Sequence, residues 1–265
     1  MMTESTRPRA LITGASAGIG EGFAKHLARR GHDLVLVARR KDRLDQLASE
    51  LAANHGAGVD VLDADLAKDE GVSRVEERLR SGEVDLLVNN AGFGTIGEFA
   101  ALPVDRELEE LDLNVRALVR LTHAALSSMV PRKRGAIINV ASMAAFQAIP
   151  YEATYAATKA FVLHFSEAVH EEAKSHGVTV TCLCPGPVKT EFQEVAGIDA
   201  SRVPAMAWAG VDTVVESALL AMRAGRAITI PGTFNILGAA GTRLAPRFLV
   251  RRIAGSFNRG QGVRA

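Results

Sequence analysis

The chain has 265 residues, 31 Lys or Arg and 30 Asp or Glu, for a formal net charge of +1. With 48% hydrophobic and 23% charged residues, its composition is that of a globular domain and excludes wholesale disorder. The even balance also excludes a uniformly basic nucleic-acid binder.

The amino-terminal MMTESTRPR is polar and runs straight into an apolar strand, so no secretory leader is expected. Short β-branched runs then alternate with amphipathic stretches. Strands are expected at 10–13, 33–38, 59–62, 85–88, 136–140, 178–183 and 227–230. Helices are expected at about 18–30, 41–55, 68–80, 104–130, 151–176 and 212–223. Gly31 and Gly177 stand where helices should end, and Pro103 where the fourth should begin. Apolar strands without polar alternation belong in a parallel sheet covered on both faces. The expected fold class is therefore α/β: a three-layer, Rossmann-type, doubly wound parallel sheet of about seven strands in a single domain. No linker or repeat interrupts it before about residue 231, so the catalytic unit is placed at 1–232 and a C-terminal extension at 233–265. The uncharged stretch 135–151 holds Asn139, Ser142, Gln147 and Pro150 and makes no membrane span. Cys182 and Cys184, one residue apart in an apolar run, are poorly placed to bond each other, which points to a reduced, cytoplasmic setting.

Three motifs carry chemistry. Gly14, Ser16, Gly18, Ile19 and Gly20 lie in the turn from the first strand into the first helix, where a glycine-rich backbone can approach a pyrophosphate. At the end of the second strand, Ala38 offers no acceptor for a ribose hydroxyl, whereas Arg39 offers a planar fork suited to a phosphate, so NADP(H) is favoured over NAD(H). Tyr155 and Lys159, four residues apart, share a helix face, and Ser142 lies just past the fifth strand, at the end where parallel sheets place ligands. Asn114 falls mid-way along the fourth helix, where its amide needs a partner. The seven histidines show no metal spacing, and no metal is expected.

These segments, in this order, resemble the short-chain dehydrogenase/reductase family in its NADP-preferring form, over about residues 8–232. The resemblance implies that Asp65 and Leu66 touch the adenine and that Asn90, Ala91 and Gly92 belong to the segment after the fourth strand. It implies that Pro185, Gly186, Val188 and Thr190 receive the nicotinamide carboxamide. Asn114, Ser142, Tyr155 and Lys159 stand where that family has its catalytic tetrad, with Tyr155 and Lys159 also touching the cofactor. The basic residue many such members carry in the glycine turn is replaced here by Ala17. A homodimer or homotetramer, built on the 104–130 and 151–176 helices, is implied as well.

Residues expected to border the substrate are apolar: Phe93, Met143, Phe146, Ile149, Tyr151, Phe192 and Trp208. They point to a hydrophobic ketone or secondary alcohol. The excursion 191–210 reads as a lid or as a packed loop. Residues 217–265 carry eight arginines and no acid. Within 241–259, Ala245, Leu249, Val250, Ile253 and Phe257 share a helical face flanked by arginines, with Pro246 tolerable only near the helix start. Such a helix could lie on an anionic membrane surface, cover the pocket, pack on a second subunit or dock on its own domain. Alternatives to an oxidoreductase are a non-catalytic dinucleotide sensor, which would be expected to lack the Tyr and Lys, and a membrane-surface protein on the same fold.

Overall fold

The computed structural model describes residues 7–192 and 205–259. Its strands are β1 (Arg9–Thr13), β2 (Asp33–Ala38), β3 (Val59–Asp63), β4 (Leu86–Asn89), β5 (Gly135–Val140), β6 (Val178–Leu183) and β7 (Ile228–Thr229). All pair in parallel, in the order β3-β2-β1-β4-β5-β6-β7. The order reverses between β1 and β4, which opens a crevice at their carboxyl ends.

The helices are α1 (Gly18–Arg29), α2 (Lys41–His55), α3 (Asp69–Arg80), α4 (Val104–Leu111), α5 (Leu118–Arg132), α6 (Ala153–Lys174), α7 (Val211–Arg223), α8 (Thr233–Leu244) and α9 (Arg247–Asn258). The apolar strands explain the layering. Ala10, Ile12, Leu34, Leu36, Leu86 and Val88 point to one side and pack with Phe23, Leu27, Leu44 and Val215 of α1, α2 and α7. Their neighbours Leu11, Val35, Val37 and Leu87 point to the other side and pack with Val72, Leu79, Leu121 and Met129 of α3 and α5. Period-two side chains thus feed two cores, so both faces of the sheet must be apolar.

The expected helix over 104–130 is not continuous. One π-helical turn, Asp112–Ala117, separates α4 from α5 and contains Asn114. Such a wide turn is a recognised device for re-aiming a functional side chain. The expected helix start at 151 moves to Ala153, because Tyr151 adopts φ +73°, a left-handed value that no α-helix accommodates. Gly31 and Gly177 follow their helices at φ +80° and +72°, as the turn out of a helix requires. The C-terminal pattern is two helices rather than one. Ala245 and Pro246 break it, and α9 begins immediately after the proline. Most of the 191–210 excursion, residues 193–204, lies outside the described residues.

Leu36 is fully buried. Leu36→Ala should lower the unfolding free energy by about 2–5 kcal/mol, read from urea denaturation monitored by circular dichroism.

Candidate active site

The glycine turn is shaped by what it cannot hold. Gly14 and Gly18 sit at φ +65° and +58°. A Cβ on Gly14 would lie 2.8 Å from Asn90 Nδ2, and one on Gly20 would lie 2.2 Å from the Gly14 carbonyl oxygen. The turn is laced to the segment after β4. The Thr13 hydroxyl accepts from the Asn90 and Ala91 main-chain N–H groups at 2.9 and 3.0 Å, and Asn90 Nδ2 donates to the Thr13 carbonyl at 3.0 Å. Ala17, at the N-cap of α1, makes no side-chain cap. The N-terminal amides of α1 therefore face the crevice with no capping side chain, an arrangement suited to an anion.

Arg39 follows β2 with its side chain 65% exposed, 4.0 Å from Glu109. Arg40 reaches the glycine turn itself, donating to Ser16 Oγ at 3.0 and 3.1 Å. It also pairs with Glu191 at 2.7 Å, and Arg43 grips the same carboxylate. Arg40 is a site residue that the sequence reading missed, although its place beside Arg39 was a usable signal.

Across the crevice, Ser142 caps a short 3-10 turn, its hydroxyl accepting from the Ala144 N–H at 3.1 Å. Burial drives the Tyr155 phenol well above its usual range, and Ser142 opposes that shift. Lys159 Nζ lies 5.7 Å from the Tyr155 ring centroid and donates to the Val140 carbonyl at 3.0 Å. Burial pulls the ammonium down to about 8, with the Glu110 charge resisting. Asn114 Nδ2 donates to the Phe93 carbonyl at 2.8 Å and to Thr158 Oγ1 at 3.1 Å, while its Oδ1 accepts from the Phe93 N–H at 3.2 Å. The π-helical turn aims this amide at the loop after β4 and at α6. Its side-chain donors are thereby committed to protein.

One cleft of about 1030 Å³ runs through these groups. All the residues expected to touch a cofactor line it except Gly20, which instead lets α1 close on the Gly14 carbonyl. Ser142, Tyr155 and Lys159 line it, whereas Asn114 is buried behind them. Of the expected substrate contacts, Phe93, Met143, Ile149, Phe192 and Trp208 line the cleft. Phe93 is covered by the Arg106 guanidinium at 3.8 Å from its ring centroid. Phe146 does not line the cleft. It packs with Leu118, Val162 and Cys182 in the core beneath. Tyr151 does not either, because its left-handed backbone turns there and its carbonyl accepts from Gly97 at 2.9 Å.

The rest of the wall comes from the C-terminal helices: Phe234 and Gly238 of α8, then Ala245, and Val250, Ile253 and Phe257 of α9. The fit is close. A Cβ on Gly186 would meet Asn235 of α8 at 2.4 Å, and one on Gly255 of α9 would meet Pro150 at 3.2 Å. Asn258 Nδ2 donates to Glu152 at 2.8 Å and ties the end of α9 beside Tyr155. The tail is thus docked on its own domain and forms a wall of the pocket. Among the described residues, no group of acidic, His or Cys side chains could hold a metal ion.

Comparison with known proteins agrees with this geometry. The short chain dehydrogenase family profile matches residues 8–200. A very-long-chain 3-oxoacyl-CoA reductase of Anas platyrhynchos is 34% identical over 71% of this chain and 62% of that protein, so the chain spans less than two thirds of it. An oxidoreductase of Myxococcus xanthus is 38% identical over 72% of this chain and 76% of its own length. Among solved structures, a short-chain dehydrogenase from Sphingobium yanoikuyae in complex with NADPH superposes with a TM-score of 0.82, at 38% identity over 89% of this chain and 94% of that one. A bulky-bulky ketone specific alcohol dehydrogenase from Comamonas testosteroni superposes at 0.78, with 34% identity over 89% and 93%. With its glycine turn, its tyrosine and lysine and its seven-stranded parallel sheet in that family's arrangement, the chain belongs to the short chain dehydrogenases.

Proposed function

We propose that the chain is an NADP(H)-dependent oxidoreductase acting on a bulky, apolar ketone or the corresponding secondary alcohol. The observation that carries this reading is the joining of the Ser142–Tyr155–Lys159 cluster to the glycine turn in one cleft. The glycine turn fits a dinucleotide, because its missing side chains leave room for close backbone approach. Gly14, Gly18 and Ile19 would hold the pyrophosphate, Asp65 and Leu66 the adenine, and Arg39, Arg40 and Ser16 the 2′-phosphate. Asn90, Ala91 and Gly92, with Pro185, Gly186, Val188 and Thr190, would hold the nicotinamide half. The bound nicotinamide supplies the hydride.

The side chains manage the proton. Tyr155 donates its phenolic proton to the carbonyl oxygen in reduction, and its phenolate accepts the proton in oxidation. Ser142 donates a second hydrogen bond to the same oxygen and stabilises the charge that develops there. A free phenol has a pKa of about 10, and burial raises this one further, so an opposing influence is needed near neutrality. The Lys159 ammonium supplies it by favouring the phenolate. Asn114 holds the loop after β4 against α6 and so sets the distance between the cofactor segment and Tyr155.

The apolar end of the cleft supports a large substrate. Met143, Phe192, Trp208, Phe234, Ile253 and Phe257 all line it. The ketone selectivity of the Comamonas enzyme and the long acyl chain named for the duck relative are consistent with such a wall. NADPH oxidation measured over ketones of increasing bulk should rise with size. Tyr155→Phe should reduce turnover by at least about 10²-fold while NADPH binding, followed by its fluorescence, is largely kept. Retained turnover in that variant overturns the mechanism.

The 2′-phosphate contact makes a separate prediction. The double variant Arg39→Ser/Arg40→Ser should weaken NADPH binding by about tenfold or more and leave NADH binding nearly unchanged, as titration calorimetry would show.

The assembly proposed is a homodimer or homotetramer in a reducing cytoplasm. Val104, Leu108 and Leu111 form an exposed stripe on α4, and Phe161 is exposed on α6. A second reading, peripheral membrane contact, is favoured by the outer surface of α8 and α9. Leu244 is 88% exposed there, Phe248 and Leu249 are exposed nearby, and no acidic residue follows Glu216. Among the described residues, no helix is long and apolar enough to cross a membrane. If the tail touches lipid, the full chain should co-sediment with anionic vesicles more than with zwitterionic ones, and Leu244→Ser/Phe248→Ser should abolish this without changing the mass found by light scattering.

A further inference from the structure

Four of the five residues from Arg39 to Arg43 are cationic, and they crowd the entry to α2, where the helix dipole disfavours positive charge. That place calls for an anion. Lys41 turns to Asp45 on its own helix at 2.5 Å. Arg40 and Arg43 instead share the Glu191 carboxylate, one oxygen each: Arg40 Nη1 donates to Oε2 at 2.7 Å, and Arg43 Nη1 donates to Oε1. The Arg43 and Arg40 guanidinium groups hold this carboxyl below the usual carboxylate range, so it is an anion at neutral pH.

Glu191 comes from the segment after β6, 151 residues beyond Arg40. Its neighbour Thr190 packs on the glycine turn, since a Cβ on Gly18 would lie 3.0 Å from Thr190 Cγ2. Ser16 of the same turn holds Arg40 from the other side, its hydroxyl accepting from Nε and Nη2 at 3.1 and 3.0 Å. Ser16, Arg39, Arg40, Thr190 and Glu191 line the cleft, whereas Arg43 stands outside it. The cleft is also lined by Asp65 and Glu152, but among the described residues neither pairs with these arginines.

We propose that Glu191 is a specificity-determining residue for the cofactor, its carboxylate occupying the Arg40 fork that the 2′-phosphate of NADP(H) requires and so weakening the preference for NADP(H) over NAD(H). The inference rests on the reading that Arg39, Arg40 and Ser16 take the 2′-phosphate, and it deepens that reading. A phosphate approaching Arg40 meets a like charge and has to take Nη1 from the carboxylate. It can do so because it carries more charge than a carboxylate and accepts from the same planar fork. Arg39, 4.0 Å from Glu109 and so beyond hydrogen-bond reach of it, adds a second fork. Arg43, outside the cleft, keeps the displaced Glu191, so the exchange leaves no charge unpaired. NAD(H) brings no 2′-phosphate and leaves the Arg40–Glu191 pair as it stands.

The test uses two probes that differ in the 2′-phosphate alone, adenosine 2′,5′-bisphosphate and AMP, titrated calorimetrically into the full chain at low ionic strength. Glu191→Gln keeps the shape and removes the charge. It should tighten the bisphosphate by about threefold to tenfold and leave AMP within about twofold. Glu191→Ser should act in the same direction. A merely structural role for Glu191 would move both probes together. In an Arg40→Ser background most of the gain should vanish, because the fork the carboxylate occupies is gone. Bisphosphate binding that is unchanged or weaker in Glu191→Gln, or a gain that survives Arg40→Ser in full, overturns the proposal. If the unsubstituted chain binds AMP as tightly as the bisphosphate, the 2′-phosphate reading itself fails and the proposal falls with it. That outcome is distinct, because it is read before any Glu191 variant is made.

Discussion

A lysine ammonium held out of water is the constraint around which this protein is arranged. Lys159 is buried, and removing such a charge from water costs several kcal/mol after relaxation unless partners compensate. The compensation comes from four separate parts of the chain. The Val140 carbonyl accepts its proton at the end of β5. Gly92 leaves the space that its head and the Asn114 amide occupy. Thr158, on the same helix as Lys159, accepts from Asn114 and anchors that amide. The Glu110 charge favours the ammonium. Each of these residues sits where it does because the parallel sheet brings the ends of β4 and β5 together and lays α4 and α6 against them.

That arrangement explains the break between α4 and α5. A regular helix through 104–132 would carry Asn114 at ordinary pitch. The π-helical turn widens the helix there, so that the Asn114 side chain meets both Phe93 and Thr158. The helix gives up regular pairing at a place where the loop after β4 has to be held against α6. The same economy governs the C-terminal helices. Pro246 ends one helix and starts the next, which lets α8 press Asn235 against Gly186 while α9 reaches Pro150 and Glu152 on the opposite rim. The arginines of α9 face outward, and its apolar inner side becomes a wall of the cleft.

Much of this was legible in the residues. The two-sided apolar strands announced a sheet buried on both faces, and the glycine turn, Tyr155 with Lys159, and Ser142 could be placed at its carboxyl edge from spacing alone. What escaped was of a different kind. Arg40 and Arg39 are adjacent charges, and only the course of the chain after β2 decides that Arg40 meets Ser16. Phe146 looked like a pocket residue because it is aromatic and near Ser142, but the 3-10 turn points it into the core. Tyr151 looked like the start of a helix until its left-handed backbone excluded it. Glu110 was overlooked although it lies four residues before Asn114 on the same helical face, because nothing in a linear reading distinguishes a buried glutamate from a solvated one.

The sequence by itself determined the fold class and the places of the glycine turn, Ser142, Tyr155 and Lys159, because these depend on local periodicity and on short spacings that hold in any setting. The tertiary structure alone decided which charges are desolvated, how the tail is disposed and what walls the cleft. Those outcomes depend on contacts between segments distant in the chain, as where Asn258 meets Glu152 or Asn235 meets Gly186, and on how far each group has been taken from water. Burial is a property of the assembled molecule, and it pushes the Glu110 carboxyl up and the Lys159 ammonium down.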